Sequence, residues 1–398
     1  MKKAIISKII MVFIVAALIN LTQPDVIYAF HLGGVGACNG CHTMHNSEDN
    51  PAQGIPNVKL LKGTDGSSTC LNCHAGAGSP NSYQIASPDG SAMSPGGDFY
   101  WLTKNFAWSG GYSPGDSHAH NIVAADFGYT PDSRLSLAPG GTYLSINLGC
   151  TSCHDPHGNV SGNYSISGSG SYGGSPGLGS VLGNYRLLGG YGYNAGEQTQ
   201  RYIFTNDAPI ARQNPVIQYG ETDTSHVDYG SGMSEWCANC HISFLTDEHD
   251  KKMGMGFEHP SGNDEHLEGK MVDNYDKYVK TGDLSGNAAT SYLTLVPFER
   301  GVTDTALLDP TSTQGPDNSS NVMCLTCHRA HASAFRAIGR WDFYVELIAD
   351  SHPAEGDSGV TGNDVFYSYY GRDMIAEFGV EQKAFCEKCH GKVPQNRF

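Results

Sequence analysis

Cys38-Asn39-Gly40-Cys41-His42-Thr43-Met44-His45 is the stretch from which the rest of the chain can be read. It opens with a Cys-x-x-Cys-His motif. The motif recurs at Cys70-Cys73-His74, Cys150-Cys153-His154, Cys237-Cys240-His241, Cys324-Cys327-His328 and Cys386-Cys389-His390. Together the six copies use all 12 cysteines of the 398-residue chain. Thiols at i and i+3 share one face of a helical turn, where they can form thioethers to the two vinyl groups of a haem. A histidine at i+4 lies on the same face and reaches the iron. Zinc sites and disulfide frameworks also pair cysteines, but neither requires a histidine after every pair. The pattern predicts six covalently bound haem c groups, with His42, His74, His154, His241, His328 and His390 as proximal iron ligands.

The amino-terminal stretch agrees with that reading. Lys2, Lys3 and Lys8 flank and interrupt an apolar start, Ile9 to Ile19 is continuous in character, and Tyr28-Ala29 precedes Phe30. This predicts a secretory signal peptide over 1–29, too short in its apolar run to span a bilayer comfortably. Haem is attached to c-type proteins outside the cytoplasm, so export is expected. No later segment is apolar enough to cross a membrane, and 30–398 reads as a single hexahaem domain. The net charge of −16 becomes −18 once Lys2, Lys3, Lys8 and Asp25 leave with the leader. So acidic a chain is repelled by nucleic acid.

The chain contains 50 glycines. Ser161 to Gly183 is a Gly/Ser/Tyr tract, and Ser79 to Gly97 and Asp309 to Ser320 are rich in Pro, Gly, Ser and Asp, composition that breaks helices and strands. Periodic segments are few: Asp273 to Lys280 and Phe343 to Ile348 are expected as short helices, and Thr142 to Leu148 as a short strand. The expected fold is mostly irregular coil with short α-helices and few short strands, wrapped around a chain of haems. With so little periodic apolar sequence, the porphyrins are expected to form the core, and folding to depend on them.

Of 17 histidines, 11 lie outside the motifs, more than the six a full set of bis-histidine haems needs. Methionine is a competing ligand type. His45, His157 and His331 each follow a motif histidine by three residues. Opposite axial ligands approach an iron from opposite sides, so each of these should bind a haem other than its neighbour's, bringing porphyrins close together. His31 stands beside the expected mature start. His118 and His120 compete within one short stretch, and His259 and His352 each precede proline, which favours extended backbone. His226, His249 and His266 show no pattern and read as ordinary exposed histidines.

Longer stretches bring a resemblance. Phe30-His31, Cys41 to Asn46, Pro95-Gly96-Gly97-Asp98-Phe99, His120 to Ala124 and Ala138 to Tyr143 are similar to segments of the hexahaem outer-surface c-type cytochromes that polymerise into nanowire filaments. So are Cys153 to Gly158, Gly232 to His241, Cys327 to Ser333 and Tyr369 to Arg372. The resemblance spans nearly all of 30–398, with somewhat shorter loops between motifs. It implies His31, His45, His120, His157, His259 and His331 as the distal ligands. It also implies a homopolymer in which His45 ligates the haem at His328 of a neighbouring subunit.

The function expected is extracellular electron transfer, without catalysis, by a filament on the outer cell surface. Its partners would be other exported cytochromes and extracellular metal oxides. One rival is a monomeric periplasmic or outer-surface shuttle. Another, a multihaem reductase, needs an open haem, and none of the six motifs has lost its histidine.

Overall fold

The computed structural model describes residues 38–43, 59–76, 83–157, 185–196, 201–214, 220–245 and 259–390. The expected signal peptide, the tract of 161–183, His31, His45 and His249 lie outside them. In chain order the described helices are α1 (Cys38–Cys41), α2 (Gly66–His74), α3 (Tyr100–Thr103), α4 (Cys150–Cys153) and α5 (Met233–Cys237). They continue with α6 (Lys270–Lys277), α7 (Cys324–Cys327), α8 (Gly362–Ser368), α9 (Met374–Phe378) and α10 (Glu387–His390). Every haem motif lies in or against one of these short helices. Two antiparallel strand pairs complete the regular structure: β1 (Phe106–Trp108) with β2 (Gly111–Ser113), and β3 (Ile210–Gln213) with β4 (Val227–Ser231). At the β1–β2 turn Gly110 adopts φ +99°, and a Cβ on Gly111 would lie 2.3 Å from the Trp108 indole. Mostly irregular coil with short helices is the fold expected of this composition.

Three local expectations are corrected. The helix placed over Asp273 to Lys280 runs instead over Lys270–Lys277, where Asp273 and Lys277 pair at i,i+4 and Tyr275 is buried. Phe343 to Ile348 is not an α-helix, and only Ile348 enters a 3-10 turn, Ile348–Asp350. Asp342 Oδ1 accepts from the Tyr344 amide, and the chain then pairs with 382–384 through Ile348 N–H to Gln382 O (2.7 Å) and Ala384 N–H to Glu346 O (3.1 Å). Thr142 to Leu148 keeps strand pairing only at Leu144, opposite Leu137, before Ser145–Asn147 winds into a 3-10 turn that delivers the chain to α4.

Beyond that expectation, the polypeptide builds apolar clusters of its own. Trp101, Trp341, Tyr275, Phe298 and Phe385 are buried in a cluster whose members run from Leu71 to Phe385. Smaller clusters form around Tyr229 with Val227 and around Tyr143 with Phe204. Aromatic side chains made this possible despite the low periodicity: each buries enough surface to contribute about 1.5–3 kcal/mol. Cys150, Cys327, Cys386 and Cys389 pack against the large cluster, Cys237 against the second and Cys240 against the third. The core therefore doubles as the bed on which the motifs sit.

Candidate haem-binding site

Three of the motifs are held by one repeated device. His42 Nδ1 donates to Lys59 O (2.8 Å), His154 Nδ1 to Arg186 O (2.7 Å) and His328 Nδ1 to Ala337 O (2.7 Å). The residue after each histidine donates its amide to the next carbonyl of the facing segment: Thr43 to Leu60, Asp155 to Leu187 and Arg329 to Ile338. Two residues further, Lys62, Gly189 and Arg340 donate back to the carbonyl of the second motif cysteine, Cys41, Cys153 and Cys327. Leu60, Leu187 and Ile338 all hold positive φ, at 54°, 59° and 58°. Left-handed backbone costs a non-glycine residue roughly 1–2 kcal/mol, and its threefold recurrence at one place marks a functional constraint. The device clamps each of these motif imidazoles by Nδ1 and directs Nε2 away from the clamp, the orientation a ligating histidine usually has. His74 Nδ1 donates to Tyr83 O (2.8 Å) and His241 Nδ1 to Pro139 O (2.7 Å), to the same effect.

Among the described residues, four pairs of histidine rings face one another. His42 and His157 have ring centres 6.4 Å apart, His120 and His241 6.0 Å, His154 and His331 6.2 Å, and His259 and His390 5.9 Å. Their interplanar angles scatter from 10° to 68°. Rings in direct stacking come closer, as Trp108 and His352 do at 4.0 Å. A fixed separation with free tilt is what a spacer atom imposes. An iron held between two ring nitrogens at about 2 Å each sets the ring centres about 6 Å apart. The residues present thus fit a haem iron in four places.

Burial pushes the imidazoles of His154 and His241 down to about 4 and that of His331 to about 3. Desolvation lowers His74, His120, His328 and His390 as well. Burial thus favours neutral imidazole, the form that binds metal.

The other described histidines have different work. His118 is buried, with Nε2 2.7 Å from Ser113 Oγ and Nδ1 3.3 Å from Trp101 O, whereas His120 uses only Nδ1, toward Ala330 O at 2.6 Å. His352 pairs with Asp357 Oδ2 at 2.6 Å, and His266 with Asn321 Oδ1 at 2.5 Å. His226, expected to be exposed, is instead fully buried and stacks on Tyr292 at 3.8 Å.

A second repeated device joins motifs to each other. Ser67, three residues before Cys70, accepts at Oγ from the Cys150 amide (3.0 Å). Ser234, three residues before Cys237, accepts from the Cys324 amide (3.0 Å). Each serine satisfies an amide at the start of the next motif's helix, which has no partner within that helix. The Cys70 and Cys150 sulfurs, and likewise Cys237 and Cys324, come within hydrogen-bonding reach. Sequence reasoning missed both serines and all three clamping segments. The one sequence signal is the likeness of Lys59-Leu60-Leu61-Lys62-Gly63 to Arg186-Leu187-Leu188-Gly189-Gly190.

No described helix is long and apolar enough to cross a membrane. No protein-family model matches the chain. It is 41% identical to the C-type cytochrome OmcS of Geobacter sulfurreducens over 95% of its own length and 98% of the relative's. Among solved structures, the outer membrane cytochrome S filament from Geobacter sulfurreducens matches with TM-score 0.77 at 39% identity. That match covers 92% of this chain and 100% of the other. The OmcS nanowires from the same organism, solved by cryo-electron microscopy, match with TM-score 0.73 at 38% identity and the same coverage. With its paired histidines, clamped motifs and mostly irregular fold, the chain belongs to the OmcS family of c-type cytochromes, electron-transfer proteins that carry covalently bound haem.

Proposed function

We propose that residues 30–398, exported by the leader at 1–29, act as one hexahaem unit. It polymerises on the outer cell surface and passes electrons along its haems to extracellular acceptors such as metal oxides. Other exported cytochromes supply the electrons. The haems supply the redox chemistry; the chain's part is to clamp the imidazoles of His42, His74, His154, His241 and His328, exclude water from the irons and fix the spacing between them.

The observation that carries the reading is the order of the ring pairs. The second histidine of a clamped motif faces the first histidine of the clamped motif before it, His157 opposite His42 and His331 opposite His154. The histidine ahead of a clamped motif faces the motif that follows it, His120 opposite His241 and His259 opposite His390. Carried to the ends, the second rule assigns His31 to His74. The first leaves His45 with no clamped motif before it and His328 with none after it. His45 of a following subunit completes His328 of the one before, a head-to-tail contact that repeats without closing. All six irons are then ligated on both sides, which leaves none for catalysis inside a filament.

His45→Ala is expected to abolish filaments in electron micrographs while six thioether-bound haems remain by intact mass. Normal filament yield from that variant would rule the assignment out, and a monomeric wild-type protein would favour the shuttle. Within one chain, His120→Ala should convert one haem to high-spin, whereas His118→Gln should leave the low-spin spectrum intact. The reverse result would exchange their roles.

A further inference from the structure

We infer that the last subunit at one end of every filament carries a haem open to small exogenous ligands, at the iron held by His328. The inference rests on the assignment of His45 to a neighbouring chain.

One half of this site is complete within a single chain. His328 is clamped through Nδ1 to Ala337 O. Its helix α7 is capped by Ser234 Oγ on the Cys324 amide. Arg340, almost wholly buried, fastens the motif further: Nε donates to Leu325 O (2.7 Å) and His328 O (3.2 Å), and Nη1 to Thr294 O (2.8 Å). Nothing about this half waits for a partner. The other axial side depends on a second molecule, and the terminal subunit has none there.

The described histidines outside the pairs are poor substitutes. His118 has both ring nitrogens engaged, His352 is held between Asp357 and Trp108, His266 is hydrogen-bonded to Asn321, and His226 is stacked on Tyr292 inside the protein. Freeing His118 leaves buried polar groups unsatisfied, at about 1–3 kcal/mol each. His352 and His266 would each give up a hydrogen bond, and His226 would have to leave its buried stack on Tyr292. The open position therefore takes a ligand from solution. What normally fills it is a neutral imidazole, so the class that fits is small, uncharged axial ligands: free imidazole, and carbon monoxide when the iron is reduced. The two filament ends differ chemically. One offers an open iron at His328 and the other an unused His45.

The test uses wild-type filaments sheared to a series of lengths measured by electron microscopy, reduced with dithionite and titrated with carbon monoxide. Carbon monoxide uptake should follow the number of ends, rising about twofold each time mean length is halved, as head-to-tail assembly requires. Free imidazole should compete with it, shifting the titration to higher carbon monoxide concentration, and slow regrowth. Uptake that does not change with length, or no uptake by the shortest fragments, would overturn the open end. His45→Ala separates the two layers of argument. Monomers that bind one carbon monoxide each support both. Monomers that bind none leave the neighbour assignment standing and sink the open site. Filaments of normal yield sink the neighbour assignment itself.

Discussion

Gly97→Ala should cost two haems their low-spin state at once. Gly97 holds φ +103°, and a Cβ built there would lie 1.7 Å from Ala332 O and 3.0 Å from Ala332 N. Those are backbone atoms, so no side chain can swing aside. The segment they belong to carries His331. It is fixed by His331 N–H to Gly96 O (2.6 Å), Ser333 N–H to His118 O (3.0 Å) and His120 N–H to His331 O (2.9 Å). His120 Nδ1 also leans on this segment, at Ala330 O. Moving the strand therefore shifts His331 away from His154 and His120 away from His241. Three backbone bonds at about 1 kcal/mol each and a left-handed alanine at roughly 1–2 kcal/mol amount to a large share of a domain's stability. Spin-state spectroscopy and thermal melting on one sample should show both losses. Gly356→Ala is the control: it shares a positive φ of 95° but has nothing within 4 Å of the added carbon. A Gly97→Ala protein with wild-type spectrum and melting temperature would contradict the packing described.

Glu299 sets a pH limit on stability. Its side chain is fully buried, one carboxyl oxygen accepts from the Met233 amide at 2.7 Å, and Oε2 has no hydrogen-bond partner among the described residues. Burial, aided by the nearby Glu235, pushes its carboxyl up to about 8 from an ordinary 4.5. A carboxyl raised in the folded state binds a proton that the unfolded chain has already lost. Stability is therefore greatest below the unfolded value and falls as pH rises from about 5 to about 8, levelling off above. The loss across that window is about 5 kcal/mol at most. Glu299→Gln keeps an acceptor for Met233 and removes the charge. It should flatten the profile and be the more stable protein at pH 9. Denaturation of the haem-loaded protein at pH 5, 7 and 9 decides it. Parallel profiles for wild type and variant would show that Glu299 stays ionised throughout.

The six motifs and the irregular fold class were legible because motif spacing and turn-rich composition are written along the chain. The pairing of histidine rings was not legible, since no sequence spacing says which ring faces which. What the sequence hid lies across long separations. The clamps sit 17, 32 and 9 residues from the histidines they hold. The serine caps act over 83 and 90 residues. The aromatic core was hidden for another reason: Trp101, Trp341 and Phe385 stand in a one-turn helix or in irregular segments, too short for a periodic pattern to announce their burial. Where local geometry was underdetermined, as at Phe343 to Ile348, pairing with a distant segment won over helix propensity.

The unequal reach of the three clamps also gives the chain a timetable. Joining two points of a flexible polymer becomes harder with contour length, by about 0.6 kcal/mol for each doubling. The clamp on His328 spans 9 residues, that on His42 spans 17, and that on His154 spans 32. Maturation should therefore close the His328 clamp soonest after its motif emerges and the His154 clamp with the greatest delay. The last of the three clamped motifs to be synthesised is thus the quickest to take its final shape, while the middle of the chain is still settling.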